Sequence, residues 1–286
     1  MFGPNTYFKD SVDINYSHRD QVFFDLFKRV NELFIEKFGL QDYDVLFIPG
    51  SGTIGLESMM FSMDYDISFI GNEGTFKQRL INLYANYDKQ KRSENQAEMF
   101  VRLETSISKP FEKEGCLIDC ISSFPYYSIP KNTKLFVTCL NKQIGSYIGL
   151  SVVCVRHDQW RHCIDEKVFS YLNLSRYKAY LFQSQTPHTT PTFIYEHLFK
   201  VLTNLNIDQL RERIDKVSDL ICSRIPEEYI IGDKRCPVIT INKKFFSDVI
   251  ARKYNLYGYW TGKPCYQFFT YTQPYDDYVR FFDSIK

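Results

Sequence analysis

At 286 residues the chain can bury a sizeable core, and one large plus one small domain is the natural division. Its net charge of +1 gives no electrostatic reason for a nucleic-acid or anionic-membrane partner, and no apolar run approaches the length that spans a bilayer. With no basic-then-apolar signal at the N-terminus, a soluble, cytoplasmic protein is expected.

The first clear element is a helix over 20–38, where Phe23, Phe24, Phe27, Val30, Leu33, Phe34 and Phe38 recur at helical spacing and Gly39 supplies the stop. Val45–Ile48 reads as a short buried strand, Thr53–Met63 as a helix, Ile67–Ile70 as a strand and Phe76–Tyr87 as a helix. The polar stretch Asp88–Ala97 reads as a loop. Four strand-like runs follow: Met99–Leu103, Cys116–Ile118, Lys134–Leu140 and Gly149–Val155. Alternating helices and strands predict an α/β sheet with ligands at the carboxyl ends of its strands. Beyond Pro187 the pattern turns helical over Thr192–Leu202 and Ile207–Ile225. A strand (Pro237–Ile241), a helix (Phe245–Tyr254), an aromatic strand (Tyr266–Tyr271) and a last helix complete a small α+β region. The expected division is 1–205 and 206–286, with the 207–225 helix as connector.

Eight cysteines contain no Cys-x-x-Cys pair, and several sit inside apolar runs (Cys116, Cys120, Cys139, Cys154), so buried free thiols are expected. Five histidines show no metal-ligand spacing, and no metal site is predicted.

Three strand ends carry chemistry. Val45–Ile48 runs into Pro49-Gly-Ser-Gly-Thr53, whose glycines and hydroxyls at a helix start suit a phosphate, although Ser and Thr are also ordinary helix caps. Cys116-Leu-Ile118 runs into Asp119, which in isolation reads equally as a cap of the next turn. Lys134–Leu140 runs into Asn141 and Lys142, and a lysine at the mouth of a buried strand is costly unless solvated, paired or covalently occupied. An anion cradle, a carboxylate and a lysine are the parts that a pyridoxal phosphate enzyme needs.

The run from Tyr16 to Glu57 resembles the N-terminal part of class V pyridoxal phosphate aminotransferases, with the nearest likeness to the 2-aminoethylphosphonate, alanine–glyoxylate and serine–glyoxylate group. Gly74-Thr-Phe76 with Arg79 resembles that family's Gly-x-aromatic-Gly-x-Arg. Leu103-Glu-Thr-Ser106 resembles its Glu-Thr/Ser-Ser-Thr-Gly, and Ile118-Asp-Cys-Ile-Ser-Ser-Phe124 its Val-Asp-Ala-x-Ser-Ser-Phe. Asn141-Lys142 matches its Asn/Gln-Lys, and Thr186-Pro-His-Thr-Thr-Pro191 its Thr-Pro-x-Thr-x-Pro. The resemblance implies a fold type I pyridoxal phosphate transferase, α/β with a mostly parallel central sheet flanked by helices and a small α+β C-terminal domain. It also implies transfer of an amino group between a small amine or amino acid and a keto acid or aldehyde, with 2-aminoethylphosphonate as the first donor to try.

Carried over by position, Ser51, Gly52 and Thr53 would hold the cofactor phosphate and Phe76 would stack on the pyridine face. Thr105 would sit near the ring hydroxyl, Asp119 would pair with the ring nitrogen, Ile121 would pack beneath the ring, and Asn141 would stand beside it. Lys142 would attach the cofactor and carry the proton. Thr189 would reach the phosphate of the neighbouring subunit, implying a homodimer with shared sites. His18 and Arg19 match an N-terminal motif near the cleft.

Several departures bear on the expectation. Lys77 replaces the second glycine of the aromatic motif, the glycine after Glu104-Thr-Ser106 is missing with Ser108 nearby, and the stretches between Arg79 and Met99 and between Ser108 and Cys116 look trimmed. Gln267 stands where the family carries the arginine that clamps the substrate carboxylate. Either the substrate lacks the usual α-carboxylate and Gln267 faces it, or another cation such as Arg19, Lys263 or Arg252 substitutes, or activity has been lost. A related lyase or decarboxylase, or a degenerate scaffold that keeps the fold, are the alternatives.

Overall fold

The computed structural model describes residues 16–88, 94–260 and 262–285, so the loop expected over 88–97 lies partly outside the described residues. Helix α1 (Gln21–Phe38) buries Phe23, Leu26, Phe27, Val30 and Phe34 on one face. It ends where Gly39 enters the left-handed region (φ 66°) and Leu40 N–H returns to the Ile35 carbonyl at 2.9 Å.

Then come β1 (Tyr43–Gly50), α2 (Gly52–Ser62), β2 (Asp66–Phe69), α3 (Thr75–Asp88), β3 (Gln96–Val101) and the short pair β4 (Leu103–Glu104) and β5 (Lys109–Pro110). They are followed by β6 (Leu117–Asp119), β7 (Leu135–Cys139), β8 (Gly149–Arg156), α4 (Leu174–Leu181), α5 (Thr192–Asn204) and α6 (Ile207–Arg224). The chain closes with β9 (Ile230–Ile231), β10 (Val238–Asn242), α7 (Asp248–Lys253), β11 (Cys265–Phe269) and α8 (Tyr275–Asp283).

The main sheet has the order β1-β8-β7-β6-β3-β2. The pairs β2/β3, β3/β6 and β6/β7 are parallel, whereas β8 runs antiparallel to both β7 and β1. Five of the six strands therefore point the same way, and β1, β6 and β7 all deliver their carboxyl ends to one edge. This is the α/β sheet that the alternation of elements predicts, mostly parallel as the resemblance implies.

Period-2 alternation sorts the two faces. Val45 and Phe47 join Phe100, Ile118, Phe136 and Val152 beneath α1 and α5, while Leu46 and Ile48 join Met99, Leu117, Val137 and Val153 beneath α2, α3 and α4. A separate apolar cluster packs α6, α7 and α8 on β10 and β11, giving the small C-terminal α+β region.

Some details differ from the sequence reading. The expected strand Met99–Leu103 breaks at Arg102, whose buried guanidinium turns to the Phe111 carbonyl (2.8 Å) and to Glu112 (2.5 Å). Helix α4 and a 3₁₀ turn over His157–His162 were not foreseen, because the flanking loops break their short apolar patterns. The last expected helix before β11 is shorter than 245–254, since Ser247 Oγ accepts from Ile250 N–H (3.3 Å) and starts α7 there.

Ser108 adopts a left-handed backbone (φ 48°) near the missing glycine. Its Oγ bonds to the Val238 carbonyl and Thr240 Oγ1, both at 2.6 Å, hold a conformation that glycine adopts without cost. All eight cysteines are free thiols. Among the described residues no helix is long and apolar enough to cross a membrane, and no His, Cys, Asp and Glu cluster could hold a metal ion.

Phe47 is fully buried and its ring meets those of Phe27, Phe34 and Tyr195. Phe47→Ala should therefore cost about 3–5 kcal/mol in urea-induced unfolding, by lost transfer energy plus the cavity left behind.

Candidate active site

At the end of β1 the chain turns through Gly50 (φ 134°), where an added Cβ would stand 2.8 Å from Ile54 Cγ2. Ser51 follows as N-cap of α2, yet its side chain makes no capping bond; Ile54 N–H turns back to the Ser51 carbonyl at 2.9 Å, and the N–H groups of Gly52 and Thr53 are left to a ligand or solvent. At Gly52 an ideal Cβ would lie 2.6 Å from Ile121 Cδ1, so only glycine lets Ile121 pack this close to the helix start. Among the described residues the hydroxyls of Ser51 and Thr53 have no hydrogen-bond partner. Free donors and the positive end of the helix dipole together make an anion seat.

That seat opens into a cavity of about 180 Å³. Ser51, Gly52 and Thr53 form one wall; α3 contributes Phe76 and Arg79; the turn after β6 contributes Asp119, Ile121 and Ser122; the turn after β7 contributes Asn141 and Lys142. The anion cradle, the acid and the lysine thus share one chamber.

Asp119 is 5% exposed, and Ile121 N–H donates to its Oδ1 at 2.9 Å. Burial pushes its pKa up to about 6, against the pull of the Ile121 N–H and the Lys142 charge, while the Glu104 carboxylate pushes the same way as burial. Lys142 Nζ donates to Ser122 Oγ at 2.8 Å. Burial lowers its pKa below the usual lysine value, Cys139 and Asp119 raise it, and Arg79 and Lys263 add to the lowering. The shift is toward the neutral amine, which is the nucleophilic form. Cys139 also lines the chamber, its thiol pushed up to about 11 by burial.

Eight expected site residues meet here: Ser51, Gly52, Thr53, Phe76, Asp119, Ile121, Asn141 and Lys142. Four do not line the cavity. Thr105 is buried behind it, its carbonyl accepting from Thr240 Oγ1 (2.9 Å) and from the Gln267 amide. Gln267 is 3% exposed and commits its Nε2 to that carbonyl, so as placed it is not presented to a substrate in the cavity. Arg19 is exposed, donating to Gln185 Oε1 at 3.1 Å and lying 5.8 Å from the Tyr180 ring centroid. Thr189 is exposed on the segment before α5.

Lys77, the replacement for a glycine, is also kept out of the cavity wall: its ammonium pairs with Glu73 at 2.5 Å and reaches the Gly71 carbonyl. Among the wall residues given no role from the sequence, two are hydrophilic, Arg79 and Ser122. Arg79 lies in the quoted aromatic motif but was given no role, and Ser122 follows Asp119 in its motif; both signals were present and unused.

No family model and no curated protein sequence matches the chain. Solved structures do resemble it. An aspartate aminotransferase of subgroup IV from Thermus thermophilus superposes with a TM-score of 0.79 at 12% identity, over 100% of this chain and 99% of that one. An alanine–glyoxylate aminotransferase from Nostoc sp. gives 0.77 at 16% identity, over 94% and 89%. A phosphoserine aminotransferase from Cytophaga hutchinsonii gives 0.76 at 14%, over 94% and 90%. The chain has the fold type I transferase architecture. Despite the segments that look trimmed, the likeness runs over nearly all of each partner.

Because the folded pKa of Asp119 lies above the usual value of 3.8, the folded state binds a proton more tightly than the unfolded state. The associated stabilisation is present below pH 4 and is lost as pH rises to 6, amounting to about 3 kcal/mol for a shift of about two units. Asp119→Asn should accordingly gain stability relative to the parent between pH 4 and 6, with a constant difference above that, as read by urea denaturation at a series of pH values.

Proposed function

We propose that this protein is a pyridoxal phosphate-dependent aminotransferase that moves an amino group between a small amine or amino acid and a keto acid or aldehyde. The observation that carries the reading is the placement of Lys142, its proton affinity lowered by burial, in one chamber with Asp119 and the N-terminus of α2. The fit to the cofactor rests on the donor set. Unused N–H and hydroxyl donors of Ser51, Gly52 and Thr53 suit its phosphate, Asp119 suits its ring nitrogen, and Phe76 and Ile121 offer apolar walls for the ring. Asn141 stands beside Lys142, whose Nζ would attach the group. When bound, pyridoxal phosphate supplies a carbonyl carbon for the amine and a ring that accepts electrons.

The chain's own residues then have plain tasks. The Asp119 carboxylate holds positive charge at the ring nitrogen. Lys142 Nζ would take and return a proton, and Ser122 Oγ, which accepts from it, would hold that amine in place. Val101, Leu103 and Ile148 keep part of the chamber wall apolar.

The substrate's anionic group needs a cation, and Gln267 and Arg19 are engaged elsewhere. Arg79 lines the chamber, its guanidinium 5.2 Å from the Phe76 ring centroid, with no hydrogen bond or ion pair to another described residue. We assign the substrate carboxylate or phosphonate to Arg79, and 2-aminoethylphosphonate remains the first donor to try. The reading includes a cytoplasmic homodimer in which Thr189 serves the partner's phosphate, and a division at 205/206 with α6 as connector.

Added pyridoxal phosphate should turn the protein yellow, and borohydride should fix the cofactor on Lys142, as read by peptide mass spectrometry. A colourless protein without label at Lys142 would sink the proposal. Lys142→Ala should lower turnover by about 10³-fold or more, and an unchanged rate would refute its role. Arg79→Ala should raise KM for an anionic donor by about ten- to a hundredfold and leave that for a neutral amine unaltered. Cofactor affinity that falls instead would move Arg79 to the phosphate. Donors that convert the cofactor without returning a keto product would favour the lyase alternative.

A further inference from the structure

Glu104 is fully buried in β4, next to Leu103 of the chamber wall, and its carboxylate faces donors. Oε2 accepts from the backbone N–H groups of Phe76 and Lys77, each at 3.0 Å. Oε1 accepts from Ser106 Oγ at 2.5 Å and Ser106 N–H at 3.3 Å. Ser106 Oγ in turn accepts from Thr75 N–H at 3.1 Å. The first three N–H groups of α3 are therefore all satisfied, directly or through one hydroxyl, by an acid 28 residues downstream of Phe76.

The arrangement is built for that acid. Helix α3 has no acidic residue in its own first turn, and at Gly74 an added Cβ would stand 2.3 Å from Glu104 Cδ, so a larger residue would displace the carboxylate. Charge-assisted bonds to a helix start are strong and directional. The neighbouring Thr105 carbonyl is held by Gln267 from β11 and Thr240 from β10, so the same turn is anchored to the C-terminal region.

We infer that Glu104 is a positioning residue of the chamber: by holding the backbone of Phe76 and Lys77 it sets where the Phe76 ring stands, and it ties that ring to β10 and β11 through the 105–106 turn. For its effect on the cofactor the inference rests on the pyridoxal phosphate reading; the geometry stands without it. A glutamine at 104 would have to turn an NH₂ toward two N–H donors or toward Ser106, so it cannot reproduce the bonds.

The carboxylate also acts on Asp119. The charged and titratable groups around Asp119 are Lys142 and Cys139 at the end of β7, Arg79 of α3, Cys120 beside it, and Glu104. Among these Glu104 favours protonation of Asp119, whereas Lys142 and Arg79 oppose it. Removing the negative charge should move the Asp119 titration toward lower pH.

The test compares the parent, Glu104→Gln, Glu104→Asp and Ser106→Ala. In cofactor-free protein, the Asp119 carboxyl is titrated by its infrared C=O band, with Asp119→Asn as the blank. The midpoint, about 6 in the parent, should fall by about half a unit or more in Glu104→Gln and return toward the parent value in Glu104→Asp. The dissociation constant of pyridoxal phosphate, read by fluorescence titration, should rise about tenfold in Glu104→Gln and less in Glu104→Asp. An unmoved midpoint or an unaltered cofactor affinity in folded Glu104→Gln overturns the inference. If Glu104→Gln does not fold, Ser106→Ala decides: it removes the hydroxyl relay but leaves the charge, and should weaken cofactor binding about two- to threefold with the midpoint unmoved. Unaltered affinity there overturns the inference. A parent that does not bind pyridoxal phosphate sinks the reading of the site, and the Asp119 titration then judges Glu104 alone.

Discussion

Strand direction is the constraint on which the chamber depends. The edge strand β1 lies two places from β7 and three from β6 in the sheet, yet all three run the same way, with the antiparallel β8 between β1 and β7. Their carboxyl ends therefore open on one edge, and the turns that leave them carry Ser51 to Thr53, Asp119 and Lys142 into a single volume. Reversing β6 or β7 would carry its polar residue to the far side of the molecule. The parallel arrangement in turn requires buried strands, and the largely apolar interiors of β1, β7 and β8, with Thr138 and Ser151 the buried hydroxyls among them, meet that requirement beneath α1 and α5 on one face and α2 to α4 on the other.

Packing the ends so tightly removes water from groups that prefer it. Asp119 gains proton affinity and Lys142 loses it, so burial moves both toward neutrality while their mutual attraction opposes the change. Such opposed groups in a small chamber suit proton transfer better than static ion pairing. Burial thus shifts the proton affinity of both groups at a cost in stability.

A second acid organises the rim. Glu104 reaches back to the start of α3, and its neighbour Thr105 is gripped by Thr240 and Gln267. Gln267 thereby has a structural task in this fold, joining β11 to the turn beside the chamber. Helix α3, which already supplies Phe76, brings the Arg79 guanidinium to the chamber wall instead.

Much was legible from residue order alone. The period-3.6 face of α1, the buried runs of β1, β7 and β8, and the polar residues that end β1, β6 and β7 identified the sheet and the cradle, acid and lysine of the wall, because local pattern governs burial and strand ends, whereas Phe76, Ile121 and Asn141 came from the resemblance of motifs. What local pattern could not supply was the contact made by a side chain once distant segments met. Gln267 and Arg19 were placed by alignment of motifs, but hydrogen bonds to Thr105 and Gln185, 162 and 166 residues away in sequence, hold them elsewhere. Glu104 was visible within its motif, yet its task depends on Gly74 leaving room for it and on three N–H groups arriving from α3. The sequence by itself determined the elements, the alternation that makes the sheet and the chemical inventory at its edge. Only the tertiary structure decided which of those groups share a solvent-poor volume, since desolvation and long-range hydrogen bonding are properties of the packed chain.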